Sequence, residues 1–362
     1  MEQRPAPVQR KEEVPADKEG LKTIVLLGTG GTIASYVDYR TGAVHPALST
    51  SDMINAVPEI RDIANIRAEV LFSIFSENMT VKHWQILAEK IAEEIGNGAD
   101  GIIVPHGTDT MGYTAAAVSF MLGEVSKPVV FVGAQRSSDR PSSDASSNLM
   151  AAARFIADGD AAGVFVCMHD TGGDDSFAIH IGTRVRKMHT SRRDAFKSIN
   201  CAPLAHVDRE GRITFNSEYR KVSDAKTEAR TAMVDRVVLL QYYPGMSPDQ
   251  FHDLVMGSKG VVFEGSGLGH VNADLVPLIR EADGAGIPVV VTSQCINGRT
   301  NLNVYNTGRD MLAAGAVTVL DMLPETAYVK LMWVLANTKD AATAKIAMQT
   351  PLAGEMSDRR ME

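Results

Sequence analysis

Short apolar, β-branched runs alternate with helical hydrophobic patterns along most of this 362-residue chain, and that alternation constrains the fold more than any other feature. Candidate strands are residues 23–27, 68–74, 101–104, 129–132 and 163–168, with helical patterns at 51–57, 81–95, 112–122 and 145–157 between them. A helix after each strand returns the chain to the same end of the sheet, so a mostly parallel sheet covered by helices on both faces is expected. Between residues 171 and 230 the pattern turns irregular and polar, with apolar runs at 178–181 and 212–215 that read as long connections and small hairpins. A second series follows: strands 237–240, 260–263 and 288–292, with helices 248–255, 273–282, 304–313 and 325–335. The expected fold is therefore α/β, a larger N-terminal domain plus a smaller C-terminal α/β domain, since a chain of this length exceeds one core. The stretch 217–235 is rich in Glu, Lys, Arg and Ser, which sets the boundary between domains over 21–225 and 226–362.

Composition narrows the class. Residues 1–20 mix Pro5, Pro7 and Pro15 with charged side chains and have no apolar core, so they read as a disordered tail and not as a signal peptide. No apolar run approaches the roughly 20 residues needed to span a bilayer. Cys167, Cys201 and Cys295 are odd in number, widely spaced and free of CxxC pairing, so a disulfide framework is not expected and a reducing cytoplasm is. The nine histidines form no HExxH motif or Cys/His cluster, which points away from a metal site. A net charge of −8 argues against general coating of nucleic acid.

The first strand runs into Gly28-Thr29-Gly30-Gly31-Thr32-Ile33-Ala34. Its glycines let the backbone turn sharply and approach a ligand. The spacing is poor for phosphates: Ile33 stands where a dinucleotide fingerprint needs its third glycine, and no Gly-Lys-Ser/Thr follows. A plain turn and a functional loop both fit this segment. The strand at 101–104 runs into His106-Gly107-Thr108-Asp109-Thr110-Met111 just before a helix. Thr108 or Asp109 there reads either as a helix cap or as chemistry facing Thr32 across the crevice at the carboxyl ends of the strands. A threonine hydroxyl is a weak nucleophile and needs an adjacent base, for which a lysine oriented by an aspartate suffices.

Together these two segments resemble the signatures of the L-asparaginase/glutaminase family, and the likeness extends over nearly the whole chain from Thr23 onward. The resemblance implies that Thr32 is the acylated nucleophile and that Thr108 and Asp109 work with a lysine. The stretch Val185-Arg186-Lys187-Met188-His189-Thr190-Ser191 is similar to the family's lysine segment and puts Lys187 in that role. Tyr39, in a stretch similar to the family's mobile loop, is implied to assist the nucleophile. In Phe75-Ser76-Glu77-Asn78-Met79 the likeness implies that Ser76 holds the substrate α-carboxylate and that Glu77, with Asp109, pairs its α-ammonium. A helix N-terminal acid is the plainer reading of Glu77. The substrate implied is glutamine or asparagine, and neither a metal nor an organic cofactor is implied in this chain. Family members form homodimers; residues 267–272 and 297–301 are the segments expected to reach across, with turn chemistry as the equal alternative.

Residues 35–44, 75–79, 184–200 and 322–333 also resemble the D subunits of the archaeal glutamyl-tRNA(Gln) amidotransferase family. That likeness implies a glutaminase that delivers ammonia to a partner amidotransferase chain, the E subunit, which carries ATP and Mg and makes most of the contact with tRNA. Members usually have an additional small β-rich domain ahead of the asparaginase-like part; here the 20-residue tail stands there. The cations between Arg184 and Lys197 read by default as a solvated basic loop, and alternatively as a means of positioning a partner or tRNA phosphates. The competing readings are a free-standing cytoplasmic L-asparaginase and a catalytically idle nucleotide-binding or scaffolding module.

Overall fold

The computed structural model describes residues 17–30, 35–37, 44–46, 57–136 and 142–358, the side chains of 35–37 and 44–46 excepted. Strand β1 (Thr23–Gly30) is followed by an antiparallel hairpin of β2 (Ser35–Val37) and β3 (Val44–Pro46). β4 (Asn65–Ile74), β5 (Gly101–Pro105), β6 (Pro128–Val132) and β7 (Gly163–His169) then complete a parallel block ordered β4-β1-β5-β6-β7. Its helices are α1 (Val81–Gly96), α2 (Met111–Leu122) and α3 (Ala145–Asp158). Alternate residues of β1 go to opposite faces: Val25 and Leu27 pack with α1 and α2, and Ile24 and Leu26 pack with α3. Burial on both faces is why the strand reads as an unbroken apolar run.

The irregular region supplies the expected hairpins. β8 (Ser176–Ile181), β11 (Ala205–Asp208) and β12 (Ile213–Phe215) extend the large sheet antiparallel beyond β7, while among the described residues β9 (Val185–Lys187) pairs only with β10 (Phe196–Ser198). The smaller sheet is parallel and follows chain order: β13 (Val237–Gln241), β14 (Gly260–Gly265), β15 (Val289–Ser293) and β16 (Val317–Thr318). α4 (Pro248–Met256), α5 (Val276–Gly284) and α6 (Asn306–Ala313) share one core with its outer face. On the inner face α7 (Pro324–Asn337) lies between β14 and α2, so one core joins the two sheets.

Three expectations need correction. The first strand does not stop at residue 27 but runs on through the glycines to Gly30. The pattern at 273–282 is a 3₁₀ turn (Ala273–Leu275) leading into α5, whose Pro277 sits at the start of the helix where no amide partner is needed. A further helix, α8 (Ala341–Met348), follows α7; its signal is Asp340, whose carboxylate accepts the Thr343 amide at 2.7 Å as an N-cap. The tail up to residue 16 and most of the helix expected at 51–57 lie outside the described residues; Val57 leads into a 3₁₀ turn, Pro58–Asp62.

Candidate active site

The carboxyl ends of β1, β4 and β5 are brought into contact by residues too small to hold them apart. Gly30 has φ +100°, and a Cβ there falls 2.2 Å from the Ile74 carbonyl oxygen. The strand register slips at that point, with Gly28 opposite Val70 but Gly30 opposite Ile74. Gly30→Ala combines left-handed strain with a backbone clash and is expected to cost at least about 2 kcal/mol, measured by urea unfolding. Beside it, Thr29 Oγ1 donates to the Pro105 carbonyl at 2.9 Å and ties the end of β1 to β5.

Ser76 is buried in a one-turn 3₁₀ helix, Ser76–Asn78, directly after β4. Gly107 makes that closeness possible, since a Cβ on it falls 2.6 Å from Ser76 Cβ and 2.8 Å from its Oγ. Thr110 Oγ1 donates to the Ser76 carbonyl at 2.8 Å, so the N-cap residue of α2 ties two loops together and makes no side-chain cap. The helix-cap reading of Thr108 and Asp109 therefore gives way. Both side chains turn to Lys187, whose Nζ donates to Thr108 Oγ1 at 2.8 Å and to Asp109 Oδ1 at 2.7 Å. Thr108 is buried, and Gly133 at the end of β6 leaves room for it: a Cβ there falls 2.6 Å from Thr108 Cγ2.

Lys187 arrives from far along the chain. It is the last residue of β9, paired across the hairpin with the fully buried Phe196. Its side chain is 15% exposed whereas that of Asp109 is 69% exposed, so the solvent-facing mouth of the site lies at the carboxylate. Glu77 follows Ser76 on the same turn and is exposed. Thr32 and Tyr39 lie outside the described residues.

In the sequence His106 stands out only as part of a motif. It is buried, contacts the Gly107 carbonyl through Nδ1 at 2.7 Å, and meets Phe131 edge-on. A carbonyl only accepts, so Nδ1 carries the hydrogen and orients the peptide ahead of Thr108. Burial pushes this imidazole from 6.5 down to about 4. His180, whose Nδ1 lies 2.8 Å from Ser198 Oγ, is pushed down to about 3 by burial, aided by Lys197 and His206. Both histidines are depressed, so the stability they contribute is present above pH 6.5 and is lost as the pH falls toward about 4 for His106 and about 3 for His180, where the unfolded chain binds protons that the folded one refuses. The melting temperature should fall through that window, and His180→Asn should flatten the fall.

The basic stretch is tied down by ion pairs, while Arg192, Lys197 and Arg186 keep 61%, 41% and 37% of their side chains exposed, so the solvated reading holds in part. Arg184 is buried against Asp321 at 2.9 Å, Arg193 meets Asp174 at 2.8 Å, Arg192 meets Asp194 at 2.8 Å, and Arg186 approaches Glu325 at 3.5 Å. Lys197 donates to the Asp170 carbonyl at 2.8 Å and lies 3.6 Å from Asp194. Segments 267–272 and 297–301 show turn chemistry, with positive φ at Gly267, Gly269 and Gly298 and an Asn301 amide bonded to the Leu268 carbonyl at 2.9 Å. Among the described residues no cluster of three or more His, Cys, Asp or Glu is placed to hold a metal, and no helix is long and apolar enough to cross a membrane.

Comparison with known proteins identifies the family. Residues 23–221 match the family described as "Asparaginase, N-terminal", and residues 236–348 match "Glutaminase/Asparaginase C-terminal domain". The D subunit of the glutamyl-tRNA(Gln) amidotransferase of Pyrococcus furiosus is 54% identical over 97% of this chain and 80% of its own length. Its counterpart in Methanothermobacter thermautotrophicus is 51% identical over 95% of this chain and 79% of its own. Among solved structures, the thermostable L-asparaginase from Thermococcus kodakarensis superposes with a TM-score of 0.85 at 31% identity, over 93% of this chain and all of that one. The chain belongs to the asparaginase/glutaminase family, and within it to the group of glutamyl-tRNA(Gln) amidotransferase D subunits.

Proposed function

We propose that this chain is the glutaminase component of a glutamyl-tRNA(Gln) amidotransferase, supplying ammonia for the conversion of Glu-tRNA(Gln) to Gln-tRNA(Gln) by a partner E subunit. The observation that carries the reading is Lys187 Nζ within hydrogen-bond reach of both Thr108 and Asp109 at the carboxyl end of β5. Thr32, two residues beyond Gly30, attacks the side-chain carboxamide of glutamine. Its proton passes through Thr108 and Lys187 to the leaving ammonia, and backbone amides of the loops stabilise the oxyanion. Water then attacks the threonyl ester, with the same groups taking its proton, and glutamate leaves. Tyr39 assists the nucleophile. Ser76 binds the substrate α-carboxylate, and Asp109 with Glu77 binds its α-ammonium, for which the open side of Asp109 leaves room. Acyl transfer of this kind needs only proton transfers, so ATP and Mg belong to the partner, which also carries most of the tRNA contact. The chain acts as a homodimer in the cytoplasm.

A free-standing L-asparaginase is the second reading, favoured by the complete coverage of the Thermococcus kodakarensis asparaginase. Glutamine and asparagine differ by one methylene, a difference worth about 1–3 kcal/mol in a pocket. Ammonia release from each amide, with and without the partner and charged tRNA, separates the two. Glutamine hydrolysis that rises when both are added supports the amidotransferase, and vigorous asparagine hydrolysis by the isolated chain overturns it. In either case Thr32→Ala should remove ammonia release; full retention sinks the nucleophile assignment.

A further inference from the structure

We propose that His169 is a positioning residue for this site, held as an imidazolium whose two N–H bonds fix Asp174 and, through Asp174, Arg193 at the tip of the hairpin that carries Lys187. The inference rests on the reading of Lys187 as part of the site. His169 ends β7 and is fully buried, with its ring edge-on to Phe177 at 4.7 Å. Its Nδ1 lies 2.7 Å from Asn148 Oδ1 and its Nε2 lies 2.9 Å from Asp174 Oδ1.

The amide of Asn148 fixes what the ring must do. Asn148 Nδ2 faces the Gly133 carbonyl at 3.0 Å and Asp144 Oδ2 at 3.3 Å, both acceptors, so the nitrogen belongs there and the oxygen faces His169. The other ring nitrogen faces a carboxylate. Both nitrogens must therefore donate, which only the imidazolium does. The charged groups around it are Asp174 in the loop after β7, Arg193 from the hairpin, Arg209 from the β11–β12 turn acting on Asp174, and Asp144 behind Asn148. Asp174, the carboxylate in contact with the ring, offsets part of the cost of burying the cation.

From there the chain of contacts leads to the site. Asp174 Oδ1 also accepts from Arg193 Nη1 at 2.8 Å, and Arg193 Nη2 donates to the Ser142 carbonyl. Arg193 lies in the hairpin tip, which closes through the Met188 amide on the Ala195 carbonyl at 2.6 Å. Lys187 is the residue immediately before that closure. Losing either bond of the His169 ring frees Asp174 from its buried anchor, leaves it held by Arg193 and loosens the tip.

The test uses the full chain. Gln at position 169 sets an amide N–H near the place of Nε2 and restores the Asp174 contact without a titrating group; Asn reaches only toward Asn148. His169→Asn and the surface variant Asp174→Ala should each lower kcat for glutamine about tenfold, with KM within about twofold. His169→Gln should recover most of kcat. Amide hydrogen exchange at Met188 and Ala195 should speed up in both damaging variants, and ¹⁵N spectra of labelled histidine should show His169 protonated on both nitrogens. Unchanged exchange at the tip in Asp174→Ala, or a His169 with one bare nitrogen at neutral pH, overturns the proposal whether or not ammonia is released. Absence of ammonia from every arm, including the unaltered chain with its partner, instead overturns the functional reading.

Discussion

Lys187→Met is expected to lower ammonia release from glutamine by about a thousandfold, the size typical of losing a positioned proton carrier, while leaving the fold intact. Two distances argue for the large kinetic effect: Nζ is 2.8 Å from Thr108 Oγ1 and 2.7 Å from Asp109 Oδ1, so one nitrogen touches both groups proposed to manage the proton. Exposure argues for the small structural one. Asp109 is 69% exposed, and an ion pair open to water on one side contributes at most about 1 kcal/mol. The methionine keeps the length of the aliphatic stem that packs at the end of β9. Lys187→Arg distinguishes proton transfer from plain charge: guanidinium stays protonated, so an arginine variant as slow as the methionine one identifies the proton as the requirement. A loss of less than about tenfold in Lys187→Met would remove Lys187 from the chemistry.

The sequence made some of this legible and hid the rest for physical reasons. The central strands of the parallel block, β1, β5, β6 and β7, were readable because burial on both faces demands continuous apolar runs, whereas the edge strand β4 is only partly buried. Thr108 and Asp109 were readable as a pair, but their local pattern equally suits a helix cap; what decides between the readings is a lysine 79 residues away in the chain, which no local pattern encodes. The cations around Lys187 were visible as charges and several are exposed, but the partners Asp174, Asp321 and Glu325 stand in other elements, so the pairing was hidden. Gly107 and Gly133 are spaced by nothing periodic, and only the closeness of Ser76 and Thr108 reveals why neither can carry a side chain. His169 was silent for the same reason, since its role lies in what its two nitrogens face.

Glu355→Ala should destabilise the chain by about 3–5 kcal/mol, the cost of leaving a buried charge without its partner. Nothing around Glu355 in the sequence suggests burial, yet it and Lys330 are both fully enclosed. Lys330 Nζ uses all three donors, to Glu355 Oε1 at 2.6 Å, the Thr350 carbonyl at 2.7 Å and the Met348 carbonyl at 3.1 Å. Burial lowers the proton affinity of this amine and the Glu355 carboxylate partly offsets that. Glu355 in turn accepts the Ala353 amide at 2.7 Å and the Leu352 amide at 3.1 Å, so the pair folds the C-terminal segment back onto α7. That segment then grips the turn before β9: Thr183 Oγ1 donates to the Ala353 carbonyl at 2.9 Å, and Arg184 donates to the Gly354 carbonyl at 2.8 Å and to Ser357 Oγ at 2.7 Å. Releasing the segment therefore loosens the base of the hairpin whose first strand ends at Lys187, so kcat should fall together with the urea midpoint. Replacing both partners, Lys330→Met with Glu355→Leu, removes the stranded charge and should recover most of the lost stability. The recovery is what tests the account: if the double variant is as unstable as Glu355→Ala, the cost lies in lost packing of the segment and not in an unpaired ammonium.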